Sequence, residues 1–225
     1  MKTAFLSILL AFAVGLTGCT GSAPTNKISA TPEARQDEKM PAEAISYFAR
    51  IHRSGKPTTF KLEMYLMPEL IGFSGRGYLG KGALKGWIDG DSLLVYFPSS
   101  QEYLSEKVEE VLIAPACDIE LKEFNILELL TSLPDTLDEL RQFQTELRAA
   151  KEKEREYRLT LDECDWQVDL TYRKTDRGWR VWYLEFTDGA NNRLRLRKDQ
   201  YKGNAKVPRK RFSPIIPSEA VRITP

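Results

Sequence analysis

Between Trp166 and Tyr172 apolar and polar residues alternate without a break, with Trp166, Val168, Leu170 and Tyr172 set against Gln167, Asp169 and Thr171. Side chains repeat every two residues only in a β-strand, so this stretch is a strand with one buried and one wet face. The same period runs through Phe60, Leu62, Met64 and Leu66, opposed by Lys61, Glu63 and Tyr65. Further strands are expected at 73–79, 83–88, 92–97, 102–112, 157–161, 179–186 and 193–197, with one or two more near Phe212, Ile215 and Val221. Asp89, Gly90 and Asp91, then Pro98, Ser99 and Ser100, and later Asp176, Arg177 and Gly178 supply short turns. Short turns make consecutive strands antiparallel neighbours, so the chain is expected to meander.

Two intervals show a helical period instead. Pro41 suits the first turn of a helix, and Ala44, Ile45, Phe48 and Ile51 follow at helical spacing. Ile126, Leu130, Leu133, Leu137, Leu140, Phe143 and Leu147 form a second stripe, broken near Pro134, and the charged run to Glu156 reads as a solvated helix end. An antiparallel sheet of about ten strands must bury its apolar face, and these helices are the available cover. The expected fold class is therefore α+β: a curved antiparallel sheet, an open half-barrel, with helices across its concave face. Inward residues Phe60, Leu62, Met64, Leu93, Val95, Trp166 and Val168 would line an apolar cavity between the layers. A closed barrel is the alternative.

The N-terminus carries an address. Residues 1–18 have a positive Lys2, an apolar run over 4–16 and small residues before Cys19, the three parts of an export signal. Leu16, Thr17, Gly18 and Cys19 resemble the bacterial lipobox, which implies cleavage before Cys19 and lipidation of its thiol. Residues 19–40, rich in Thr, Ser, Ala and Pro, read as a lipidated flexible tether, and 41–225 as one folded domain. Thr20 stands where an Asp would retain an enterobacterial lipoprotein in the inner membrane, so the periplasmic face of the outer membrane is expected. With Cys19 taken by lipid, Cys117 and Cys164 are left as a disulfide pair in an oxidising compartment. Closing that loop would contribute about 4 kcal/mol on the chain-entropy view.

Several motifs tempt and fail. Gly75, Gly77 and Gly80 match a dinucleotide fingerprint, and Gly75, Gly80 and Lys81 nearly match a phosphate loop, but more strand follows where a helix should begin. Half of the 14 glycines lie between Gly72 and Gly90, which suits turns and sheet curvature. His52 is the single histidine, with no zinc spacing or nucleophile elbow beside it. No enzyme, cofactor or metal site is expected. The chain has 33 basic and 32 acidic residues, and without Lys2 the two are equal, which argues against a nucleic-acid partner. Arg209, Lys210 and Arg211 read as a solvated strand or turn, with headgroup contact as the alternative. Leu70, Ile71 and Phe73 put apolar residues around a Pro and a Gly, and are candidates for a loop touching membrane or partner, or else for a strand with buried side chains.

Three stretches resemble the LolA/LolB superfamily of lipoprotein carriers and outer-membrane receptors. They are Asp89, Gly90, Asp91, Leu93, Val95, Tyr96, Phe97 and Pro98; then Leu184 to Asp188 with Arg193 to Arg197; then Phe212, Pro217 and Val221 to Ile223. The resemblance implies an open half-barrel with a helical lid over a cavity for acyl chains. It also implies a partner list of membrane, lipid or lipoprotein acyl chains, and a periplasmic carrier or envelope protein. Cys19 places the chain nearer LolB in attachment, so binding or receipt of acyl chains is the expected role. An envelope sensor or scaffold on the same fold is the alternative.

Overall fold

A computed structural model describes residues 38–53, 56–77, 82–108, 126–141, 143–162, 165–213 and 215–224. Cys19, Cys117 and Cys164, and with them the lipidation and the disulfide, lie outside the described residues, as do the signal and nearly all of the tether.

Twelve strands build one sheet. The first meander runs β1 (Lys39–Arg53), β2 (Lys56–Leu66), β3 (Leu70–Arg76), β4 (Gly82–Asp89), β5 (Ser92–Phe97) and β6 (Glu102–Lys107). A helix, α1 (Ile126–Thr131), and two 3₁₀ turns (Pro134–Thr136 and Asp138–Leu140) follow. The second meander runs β7 (Gln144–Lys151), β8 (Glu154–Leu161), β9 (Trp166–Thr175), β10 (Gly178–Thr187) and β11 (Arg193–Pro208), and β12 (Val221–Ile223) closes the chain. The spatial order is β12-β6-β5-β4-β3-β2-β1-β11-β10-β9-β8-β7. All neighbours are antiparallel except β12, which lies parallel to β6. The sheet is open, with β12 and β7 at its edges.

This corrects the expected α+β class. The described chain is a twelve-stranded sheet with one six-residue helix, not a sheet of about ten strands under several helices. The segment from Pro41 is the central strand β1, paired with β2 and β11 along its length. Its helical spacing competes with a period of two, Ile45, Tyr47, Ala49 and Ile51, and those four are each no more than 3% exposed, whereas Phe48 is half exposed. Burial between two neighbours outweighs the weak helix preference of a short segment. Likewise the charged run is the hairpin β7–β8, and Leu147 is half exposed on the edge strand instead of facing the core. Glu146, Arg148 and Lys151 on β7 keep that open edge soluble, a normal protection against edge pairing. The segment 209–211 is a 3₁₀ turn, with Arg211 over the Tyr65 ring and Arg209 near Glu38.

The main core lies on one face, and a smaller cluster of Ala42, Ala205, Val207 and Phe212 is separate from it. Ile45, Tyr47, Ala49 and Ile51 of β1 join Phe60 and Leu62 of β2, Leu93 and Val95 of β5, Tyr157 and Leu159 of β8, and Leu170 and Tyr172 of β9 in a single cluster. At two glycines the backbone approaches too closely for a side chain. A Cβ on Gly72 would stand 2.1 Å from the Arg211 carbonyl oxygen, and one on Gly86 would stand 2.4 Å from the Phe73 ring. Phe73 is the cross-strand partner of Gly86 and fills the space that it leaves.

The two meanders meet along β1 and β11, and there the sheet forks. β10 pairs with β11 from Tyr183 to Thr187, whereas Gly178 to Val181 pair with β9 and β11 continues along β1 to Pro208. Arg180 bridges the fork by donating to both carboxylate oxygens of Glu43 on β1, with its Nε 2.7 Å from Oε2.

Candidate functional site

The inner face of the sheet is a broad apolar surface. All seven predicted cavity residues belong to it: Phe60, Leu62, Leu93, Val95 and Trp166 are buried in the main cluster, and Met64 and Val168 pack partly buried against it. The alternation in β2 and β9 places their members there, since every second residue of a strand faces the same way, whereas β5 is an unbroken apolar run with five successive buried residues.

Among the described residues, the segment that lies across this face is 126–143. Leu127, Leu129, Leu133 and Leu137 are partly buried against the cluster, and Leu130, Leu140 and Phe143 are buried within it. Its helix α1 packs on β10. Three tyrosines sit in the core, Tyr172 bonded to the cover and Tyr47 to another strand of the sheet. The Tyr172 hydroxyl donates to the Leu129 carbonyl of α1 at 2.7 Å, and the Tyr47 hydroxyl donates to the Val181 carbonyl at 3.0 Å. Tyr157 stands edge-on to Tyr172 with ring centroids 6.0 Å apart.

Burial keeps these phenols neutral. Desolvation holds Tyr47 and Tyr172 well above the ordinary tyrosine range. It also pushes Tyr157 up to about 12, helped by a hydrogen bond to Asp135 in the first 3₁₀ turn. A polar group inside an apolar layer costs free energy unless it is bonded, so the bonds of Tyr172 to Leu129 and of Tyr157 to Asp135 fix where the cover sits. The period of two in β1 would have found Tyr47, and that of β9 does include Tyr172. Their pairing with α1 and Val181 has no local signal.

The remaining sequence candidates fall elsewhere. Leu70, Ile71 and Phe73 lie in β3 between β2 and β4, so they do not form a loop, and Ile71 is only 1% exposed. The preceding turn is closed by the Met67 amide donating to the Leu70 carbonyl at 2.9 Å. His52 sits near the end of β1 opposite Arg193. Among the described residues no group of three or more His, Cys, Asp or Glu is placed to hold a metal ion, and no helix is long and apolar enough to cross a membrane.

No family model matches the sequence, and no curated protein matches it. Solved structures do. The chain is similar to a LolA superfamily protein of Nitrosomonas europaea, at a TM-score of 0.40 and 11% identity over 80% of this chain and 94% of that one. It is also similar to an uncharacterized conserved protein of Thermus thermophilus, at a TM-score of 0.43 and 11% identity over 80% of this chain and 89% of that one. A DUF1329 family protein of Desulfovibrio piger gives 0.40 and 11% over 80% and 92%. These are partial superpositions, and none of the names carries to this chain.

Proposed function

We propose that the protein is a lipid-anchored binding protein that holds acyl chains of a lipid or lipoprotein between the inner face of its sheet and the 126–143 cover. One observation carries this reading: a continuous apolar face spanning both meanders is covered, among the described residues, by a segment with a single six-residue helix. So short a helix has little stability of its own and owes its place to packing. Moving it aside would expose a trough lined by Phe60, Leu62, Leu93, Val95 and Trp166. An acyl chain entering there regains about 25 cal/mol for each Å² of apolar area removed from water, replacing what the cover gave up.

Attachment follows from Cys19. With its thiol lipidated the domain would stay on the periplasmic face of the outer membrane and act where it is tethered, receiving acyl chains from a periplasmic carrier or another envelope protein. The test is native mass spectrometry of the full chain purified from membranes. Co-bound lipid is expected, lost when Val95 is replaced by Asp and retained when Glu146 on the solvated edge is replaced by Gln. Protein free of lipid, and unable to take up a fluorescent fatty acid, would refute the proposal.

A further inference from the structure

The opposite face of the sheet has a feature that acyl-chain binding does not use. Residues alternating with the buried ones of β1 point outward, and strand register gathers charge around them. Phe48 is paired with Lys61 of β2 and with Arg197 of β11, and Lys61 is in turn paired with Arg76 of β3. One register step along, Arg50 is paired with Arg195. Directly opposite side chains in an antiparallel pair share a face, about 5 Å apart. A groove of about 570 Å³ opens among these six residues.

The charge there is only partly neutralised. Lys61 meets Asp199 at 2.9 Å and Arg76 meets Glu63 at 3.3 Å, while the Glu185 carboxylate is shared between Arg193 and Arg195. Among the described residues neither Arg50 nor Arg197 has a carboxylate partner. Like charges set across a pair of strands are destabilising; Glu185 offsets Arg195, which leaves Arg50 and Arg197 as the charges that an anion would relieve. Arg197 lies over the Phe48 ring, 5.8 Å from its centroid, and that ring is 50% exposed at the centre of the basic strip. The whole chain carries a formal charge of only +1, so the excess is local.

We propose that this outer groove binds the phosphate-bearing headgroup of an anionic lipid, Arg50 and Arg197 taking the anion and Phe48 lying along the adjoining glyceryl and acyl carbons. Arginine suits the anion because its planar fork donates two parallel hydrogen bonds to phosphate oxygens. The volume exceeds what a lone phosphate fills, and a bare phosphate gives an exposed aromatic ring nothing to cover. A long polyanion such as nucleic acid would need a basic stripe well beyond this patch. Its charged side chains alternate along the strands with the inward residues of the proposed acyl trough, of which Phe60 alone also lines the groove, and the proposal does not depend on that trough.

The experiment maps arginine reactivity at the groove itself. The full chain, in non-ionic detergent micelles, is treated with phenylglyoxal and each modified arginine is quantified by peptide mass spectrometry, with Arg158 on β8 as the internal reference. Micelles doped with phosphatidate are expected to slow modification of Arg50 and Arg197 at least fivefold. Micelles doped with phosphatidylcholine should leave both rates unchanged, and Phe48→Ser should abolish most of the protection. Unchanged rates in phosphatidate overturn the proposal, whatever lipid the inner face retains. Equal protection by inorganic phosphate, or full protection in Phe48→Ser, overturns the assignment to a lipid. The Arg158 rate shows in each case that the fold is intact.

Discussion

Arg180 of β10 and Glu43 of β1, 137 positions apart in the chain, form a bidentate ion pair at the fork where β10 leaves β11. Their side chains are 7% and 16% exposed, and the Tyr201 hydroxyl donates to the same carboxylate at 3.0 Å. The pair ties the end of one meander to the start of the other where ladder hydrogen bonds are missing. Removing one partner strands a largely buried charge, which costs about 3–5 kcal/mol, whereas removing both costs less. Urea unfolding should therefore show Arg180→Leu to be more damaging than the double variant Arg180→Leu, Glu43→Leu. Strict additivity in that cycle would mean that the two residues do not act as a pair.

Gly72 and Gly86 make a second test. At Gly86 an added Cβ meets the Phe73 ring and, at 2.6 Å, the Leu94 carbonyl oxygen; at Gly72 it meets the backbone at Arg211. Overpacking of this kind costs about 1–3 kcal/mol. Gly86→Ala should lower the unfolding midpoint. Gly72→Ala should in addition push the 209–211 turn off the sheet and speed cleavage there by trypsin. Gly82→Ala, where no atom lies within 4 Å of the added carbon, is the control and should change little.

What the sequence disclosed follows from where the pattern was unambiguous. β2 and β9 alternate cleanly while β5 is an unbroken apolar run buried at five successive positions, and all seven inward residues expected from them lie in or against one cluster. β1 carries two periods at once, because Phe48 is apolar yet outward, and its exposed ring made the helical spacing look complete. β7 has no buried face at all, so its glutamates and arginines suggested a solvated helix. Neither the fork ion pair nor the basic groove has a local signature. Arg50 meets Arg195 only through the β1–β11 pairing, and Glu43 of β1 meets Arg180 of β10 across 137 positions of chain.

The tyrosines give the fold a defined response to alkali. Their folded-state pKa lies above the unfolded value of about 10: desolvation, with help from carboxylate neighbours, pushes Tyr157 and Tyr183 to about 12 and holds Tyr47 and Tyr172 up as well. A group raised in this way contributes its full stability below the unfolded pKa and loses it as pH climbs toward the folded value. Thermal melts should be flat from these groups up to about pH 9.5 and then fall steadily between about pH 10 and 12. Tyr157→Phe should start lower, having lost its bond to Asp135, but should fall less over that window. A parallel decline in both proteins would assign the alkaline loss to other groups.

Tyr172 connects stability to the proposed function most directly. Its hydroxyl makes a side-chain hydrogen bond from the sheet to the backbone of α1, through the Leu129 carbonyl. Tyr172→Phe keeps the ring and its edge contact with Tyr157 while deleting that bond, at a net cost of about 1 kcal/mol. That cost falls on the covered state. If the cover must move for an acyl chain to enter, the variant should release and take up a fluorescent fatty acid about five times faster than the unaltered chain, since 1 kcal/mol corresponds to roughly that factor. Stopped-flow displacement measures it. Faster exchange with an unchanged fold by circular dichroism is the expected result, and exchange at the original rate would show that chains enter by a route that leaves α1 in place.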